Sequence, residues 1–115
     1  MAEAMESRSL STRWGEAEMP DCPLAEYPRP QFMRPGWFCL NGRWDYAVLP
    51  KGQEPEEYRE QILVPFSPET ALSGASRGPG PEETSWYRRR FTLPAGFMKD
   101  RLLLHFGAVD QSCEV

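Results

Sequence analysis

The sequence predicts an all-β domain, an antiparallel β-sandwich of short strands separated by turns. Three observations point there. Apolar residues recur at every second position in two separate stretches, Leu40–Val48 and Trp86–Leu93, which is the spacing of a strand with one covered face. Turn-forming groups bound these stretches: Pro35-Gly36, Pro50-Lys51-Gly52 and Pro94-Ala95-Gly96. Finally, 12 prolines and 9 glycines in 115 residues favour short strands over long helices.

The chain begins with a leader, residues 1–26, that is polar and acidic and lacks periodicity. It is expected to be extended, disordered or laid across a surface. Trp14 is the residue there that gains most by docking, because burying an indole removes a large apolar area from water. Tyr27-Pro28-Arg29-Pro30-Gln31 follows, and its alternate prolines impose extended geometry. From Leu40 the pattern becomes regular. Leu40, Gly42, Trp44, Tyr46 and Val48 share one face, with Asn41, Arg43 and Asp45 on the other. Asn41-Gly42 is also a tight-turn signal, so a hairpin pairing 38–40 with 43–49 is a second reading of this stretch.

Residues 54–60 are charged and read as a surface loop. Ile62-Leu63-Val64 is a short apolar run closed by Pro65, and residues 70–84 form a Gly-, Pro-, Ser- and Glu-rich loop. A loop that long in a compact domain is functional or mobile. Next comes an expected strand over 86–93, with Tyr87, Phe91 and Leu93 on one face, Arg89 between them, and Trp86, Arg88, Arg90 and Thr92 on the other. The last expected strand covers 102–109. Leu102, Leu104, Phe106 and Ala108 lie on one face and Leu103, His105 and Val109 on the other, so it reads as a covered central strand. A short helix over 101–106 is the competing reading.

Composition narrows the function. An apolar content of 40% is enough for a core. The net charge of −4, with no large basic patch, argues against a general nucleic-acid binder. No stretch approaches the ~20 apolar residues of a membrane span. The polar N-terminus has no apolar signal core, which is expected of a cytoplasmic protein. Cys22, Cys39 and Cys113 are widely spaced, with no Cys-x-x-Cys and no Cys/His cluster. They read as small thiols in a reducing compartment, not as metal ligands. His105, the single histidine, has no partner at ligand spacing.

Candidate site residues are few. Trp86 and Trp37 offer flat aromatic faces suited to the C–H side of a sugar, with core or interface packing as the alternative. Arg88 and Arg90 are candidate clamps for a sugar carboxylate. The plainer reading has two of Arg88, Arg89 and Arg90 lining a wet face while Arg89 pairs with an acid. Glu56-Glu57 and Glu82-Glu83 are neighbours in loops and read as solvated turn charge. No catalytic residue, cofactor-binding residue or metal ligand is assigned.

Several stretches together resemble the N-terminal sugar-binding domain of glycoside hydrolase family 2, which holds β-galactosidases, β-glucuronidases and β-mannosidases. They are Tyr27-Pro28-Arg29-Pro30-Gln31; Trp37 with Leu40-Asn41-Gly42-Arg43-Trp44-Asp45-Tyr46; Val64-Pro65-Phe66 with Glu69 and Leu72-Ser73-Gly74; Trp86-Tyr87-Arg88-Arg89 with Phe91; and Leu103-Leu104-His105-Phe106-Gly107-Ala108-Val109-Asp110. Thr12-Arg13-Trp14-Gly15 is also similar to the start of some members.

The resemblance covers 27–115 and implies a jelly-roll-like, galactose-binding-domain-like sandwich, incomplete at its C-terminal end, where relatives continue with further strands. It implies partners downstream: an immunoglobulin-like domain and a catalytic (β/α)8 barrel. It further implies retaining hydrolysis of β-glycosides by two carboxyl groups roughly 5–5.5 Å apart. Both carboxylates belong to the barrel and neither is in this chain. The resemblance therefore implies a sugar-binding and scaffold role, with exposed loops such as 72–84 lent to the edge of the parent active site. A stand-alone carbohydrate-binding or protein-interaction module without catalysis is the alternative.

Overall fold

The computed structural model describes residues 11–17 and 19–115; the first ten residues of the expected leader and Glu18 lie outside it. Regular structure is mostly strand: β1 Gly42–Pro50, β2 Glu60–Val64 and β3 Glu83–Arg88. The helical pieces are single turns, α1 at Arg13–Glu16 and 3-10 turns at Pro30–Phe32 and Ala71–Ser73. The strands form one antiparallel sheet in the order β2-β1-β3. A second sheet, which a sandwich requires, is absent among the described residues.

Register assigns the faces. Tyr46 stands opposite Glu60 on β2 and Tyr87 on β3, and Trp44 stands opposite Ile62. Side chains paired in this way share a face. Gly42, Trp44, Tyr46 and Val48 therefore lie with Ile62, Val64, Ser85 and Tyr87 on one side of the sheet. That is the alternation expected for β1, and it makes the core: Tyr46 and Ile62 are fully buried. The Ala71–Ser73 turn covers this side next to β2, with Ser73 also buried. The Ser73 hydroxyl donates to the Thr70 carbonyl at 2.8 Å, so the buried polar group is satisfied.

The other face carries Arg43, Asp45, Ala47 and Leu49 of β1, Gln61 and Leu63 of β2, and Thr84, Trp86 and Arg88 of β3. Apart from buried Leu63, it is wetter and more polar.

The Asn41-Gly42 hairpin does not form. Gly42 opens β1 at φ +136°, and a Cβ there would lie 2.9 Å from the Asp21 carbonyl oxygen. The glycine is needed because the leader's backbone passes against the strand, not because the chain turns. Asn41 is likewise committed elsewhere: its amide donates to the Pro23 carbonyl at 2.9 Å. The leader is thus laid against the start of β1 over 21–23 and is helical for one turn, where Thr12 caps the Gly15 amide at 3.3 Å. Trp14 does not dock; it is 69% exposed and carries the Arg13 guanidinium 4.3 Å above its ring.

The two C-terminal expectations change most. The strand expected over 86–93 starts three residues earlier and ends at Arg88. Arg89 leaves the ladder and donates to the Asn41 carbonyl at 2.7 Å and to the Leu40 carbonyl. Phe91 then stacks on Phe38 at 6.0 Å, and Phe97 meets Phe38 edge-on at 6.1 Å, forming a small satellite cluster. The expected central strand at 102–109 is irregular and exposed throughout. Its alternation is real, but among the described residues no neighbouring strand supplies the ladder and no layer covers either face. A lone apolar segment has no reason to stay extended without those partners. The Cα radius of gyration, 17.1 Å, reflects this; a compact chain of this length has about 13 Å.

Candidate functional site

The wet face of the sheet brings together residues from three places in the sequence. Asp45 on β1 stands directly opposite Arg88 on β3. The Arg88 Nε and Nη2 both donate to Asp45 Oδ2, at 3.0 and 2.9 Å. Tyr58, from the loop before β2, lies beneath the same guanidinium, 4.2 Å from its carbon. Arg88 is therefore held by an acid on one side and an aromatic face on the other, which fixes its plane. It was Arg89 that sequence reasoning paired with an acid; Arg88 takes that role, and Arg89 holds main-chain carbonyls instead.

Trp86 lies two residues before Arg88 on this face, opposite Ala47. It is half-buried, and its indole N–H is buried without an acceptor. Arg90 lies beyond the strand end, exposed, and is not part of the Asp45–Tyr58–Arg88 cluster. Of the three candidates, then, Trp86 and Arg88 share a face and Arg90 stands apart. Trp37 is half-buried and packs edge-on against Tyr27 at 5.1 Å, as a packing residue does.

Sequence reasoning missed Asp45 and Tyr58 as members of this group. Asp45 was legible as a wet-face residue, but its partner depends on register. Tyr58 sits in a charged loop with no periodicity to mark it.

The long loop 70–84, expected to be functional or mobile, is pinned to the core face. The Tyr46 hydroxyl donates to the Arg77 carbonyl at 3.1 Å and lies 3.4 Å from Ser85 Oγ. Burial pushes the Tyr46 hydroxyl pKa above the ordinary tyrosine value. Glu60 on β2 accepts from the Ser76 amide and hydroxyl at 3.2 and 2.8 Å. Arg77 and Glu83 form a two-bonded fork at 2.6 and 2.7 Å. That fork, helped by the Gly80 amide, holds the Glu83 carboxyl down at about 2. Burial pushes the Tyr87 hydroxyl up to about 12, with Tyr46 and Glu69 adding to the shift.

A depression of about 460 Å³ opens between the second half of β1 and the 53–60 loop, lined in part by Glu54, Glu56, Glu57 and Glu60. Its acids are already engaged or solvated. Glu57 pairs with Arg59, Glu60 holds Ser76, and Glu54 and Glu56 are exposed. Among the described residues no group of three or more His, Cys, Asp or Glu is placed to hold a metal ion. Likewise, no described helix is long and apolar enough to cross a membrane. The wet face offers hydrogen-bond donors, one acid and two aromatic rings. That set suits holding a polar ligand or a neighbouring domain and includes no acid–nucleophile pair. No protein-family model and no curated protein matches the chain.

Proposed function

We propose that this chain is the N-terminal sugar-binding and scaffold portion of a retaining β-glycosidase of glycoside hydrolase family 2, a jelly-roll-like sandwich in the whole enzyme, with the catalytic carboxylates on a downstream barrel. One observation carries this reading: two of the stretches that resemble the family are locked side by side. Leu40–Tyr46 and Trp86–Arg89 are joined by Asp45–Arg88, by Arg89 on the Leu40 and Asn41 carbonyls, and by Tyr46 against Tyr87 at 5.2 Å. A shared domain architecture requires such residues to be spatial neighbours. The exposed apolar stretch 102–109 fits the same reading, since it is what a segment awaiting further strands presents.

The test is a chimera. In a family 2 glycosidase, the residues up to the counterpart of Val109-Asp110 are replaced by this chain. The reading expects a soluble enzyme that hydrolyses a chromogenic β-glycoside, while the chain alone does not. A chimera that stays insoluble, together with glycan binding by the chain alone, would overturn it in favour of a stand-alone binding module.

A further inference from the structure

Two segments distant in sequence run side by side where β1 begins. The Asn41 side chain holds the Pro23 carbonyl at 2.9 Å, the Asp21 carbonyl abuts Gly42, and Pro23 is fully buried. Cys22 lies between Asp21 and Pro23, and Cys39 precedes the Leu40 carbonyl that Arg89 grips. Both thiols are half-buried at this junction of the two segments, and Cys39 is near enough to Cys22 to add to the effect of burial on its thiol. We propose that Cys22 and Cys39 are a disulfide-forming pair that closes the leader covalently onto the start of β1 when the chain meets a small disulfide oxidant such as oxidised glutathione.

The exchange balances without any other reagent. One thiolate attacks a glutathione sulfur, breaking its S–S bond and releasing one glutathione thiolate. The second cysteine, deprotonated in turn, attacks the mixed disulfide at the protein sulfur and releases the other. Two protein thiols are oxidised, one disulfide is reduced to two thiols, and the two protons end on the two glutathiones. Burial and the neighbouring Cys39 push the Cys22 thiol up, while the Arg89 charge pulls the other way. Because the thiolate is the reactive form, the exchange quickens as pH rises. Cys113 is an exposed free thiol in the C-terminal tail and is removed by substitution so that it does not compete.

The experiment uses the full chain with Cys113→Ser, treated with oxidised glutathione in buffer and, separately, in concentrated urea. A Glu-specific protease is needed to map the product. Arg29 and Arg34 are both followed by proline and resist trypsin, which leaves both cysteines in one tryptic peptide. Cleavage after Glu26 separates them. The expected result is a loss of two hydrogen masses and a dithiothreitol-sensitive link between the Met19–Glu26 peptide and the peptide beginning at Tyr27. The link should form at least about tenfold faster in buffer than in urea, the margin expected when the fold itself holds the thiols together. Adding Cys22→Ser should replace the link with a glutathione adduct on Cys39. Separate glutathione adducts on Cys22 and Cys39, or equal linking rates in buffer and urea, would overturn the proposal.

Discussion

Tyr46 joins the core to the long loop, and its two contributions can be separated by substitution. Tyr46→Phe keeps the ring, which is fully buried between Tyr87 and the loop, and deletes the hydroxyl that donates to the Arg77 carbonyl. The loss is one ordinary hydrogen bond of about 1 kcal/mol. For a chain of this size that corresponds to a fall of about 4 °C in Tm. Tyr46→Ala also removes the ring and should cost about 3–5 kcal/mol, a large share of a typical domain's stability. Urea unfolding followed by circular dichroism reads both values. The loop has its own readout, trypsin cleavage after Arg77. Weakening the anchor by about 1 kcal/mol raises the open population about fivefold, and cleavage follows in proportion. If Tyr46→Phe melts like the parent and is cut at Arg77 no faster, the hydroxyl does not anchor the loop and the reasoning fails.

Three further outcomes are expected. The Glu83 carboxyl is held at about 2, below its ordinary value of 4.5, so the folded state binds its proton less readily than the unfolded state. The stability it contributes is present above about pH 4.5 and is lost as pH falls toward 2; acid melts should show this loss, and Glu83→Gln should flatten that part of the curve. Gly42→Ala forces a Cβ to within 2.9 Å of the Asp21 carbonyl at a φ of +136°. It should cost about 1–3 kcal/mol and free the leader, read as faster proteolysis after Glu26. A double-mutant cycle on Asp45 and Arg88 should give a coupling of about 0.2–1 kcal/mol that shrinks with added salt, because both side chains are partly exposed. A coupling insensitive to salt would contradict that assignment.

The legible part of this fold was its most periodic part. Gly42 to Val48 alternates cleanly, and the structure buries the side that the alternation marks. Ile62-Leu63-Val64 was visible as an apolar run and became β2. What escaped depended on partners that sequence spacing does not name. Residues 102–109 carry strand periodicity, but a strand also needs a ladder, and none of the described residues offers one there. Gly42 looked like half of a turn because Asn-Gly is a turn signal, yet its backbone answers the close passage of Asp21. The candidate site followed the same rule. Trp86 and Arg88 were marked by their shared strand face, whereas Asp45 joined them through cross-strand register and Tyr58 through the path of a loop.

The proposal is that this chain is the N-terminal scaffold portion of a β-glycosidase. The measurement that tests it most directly is the sequence of the transcript beyond the codon for Val115. The account predicts an open frame that completes the sandwich, passes through an immunoglobulin-like domain and reaches a barrel carrying two glutamates. A stop codon directly after Val115 would contradict it.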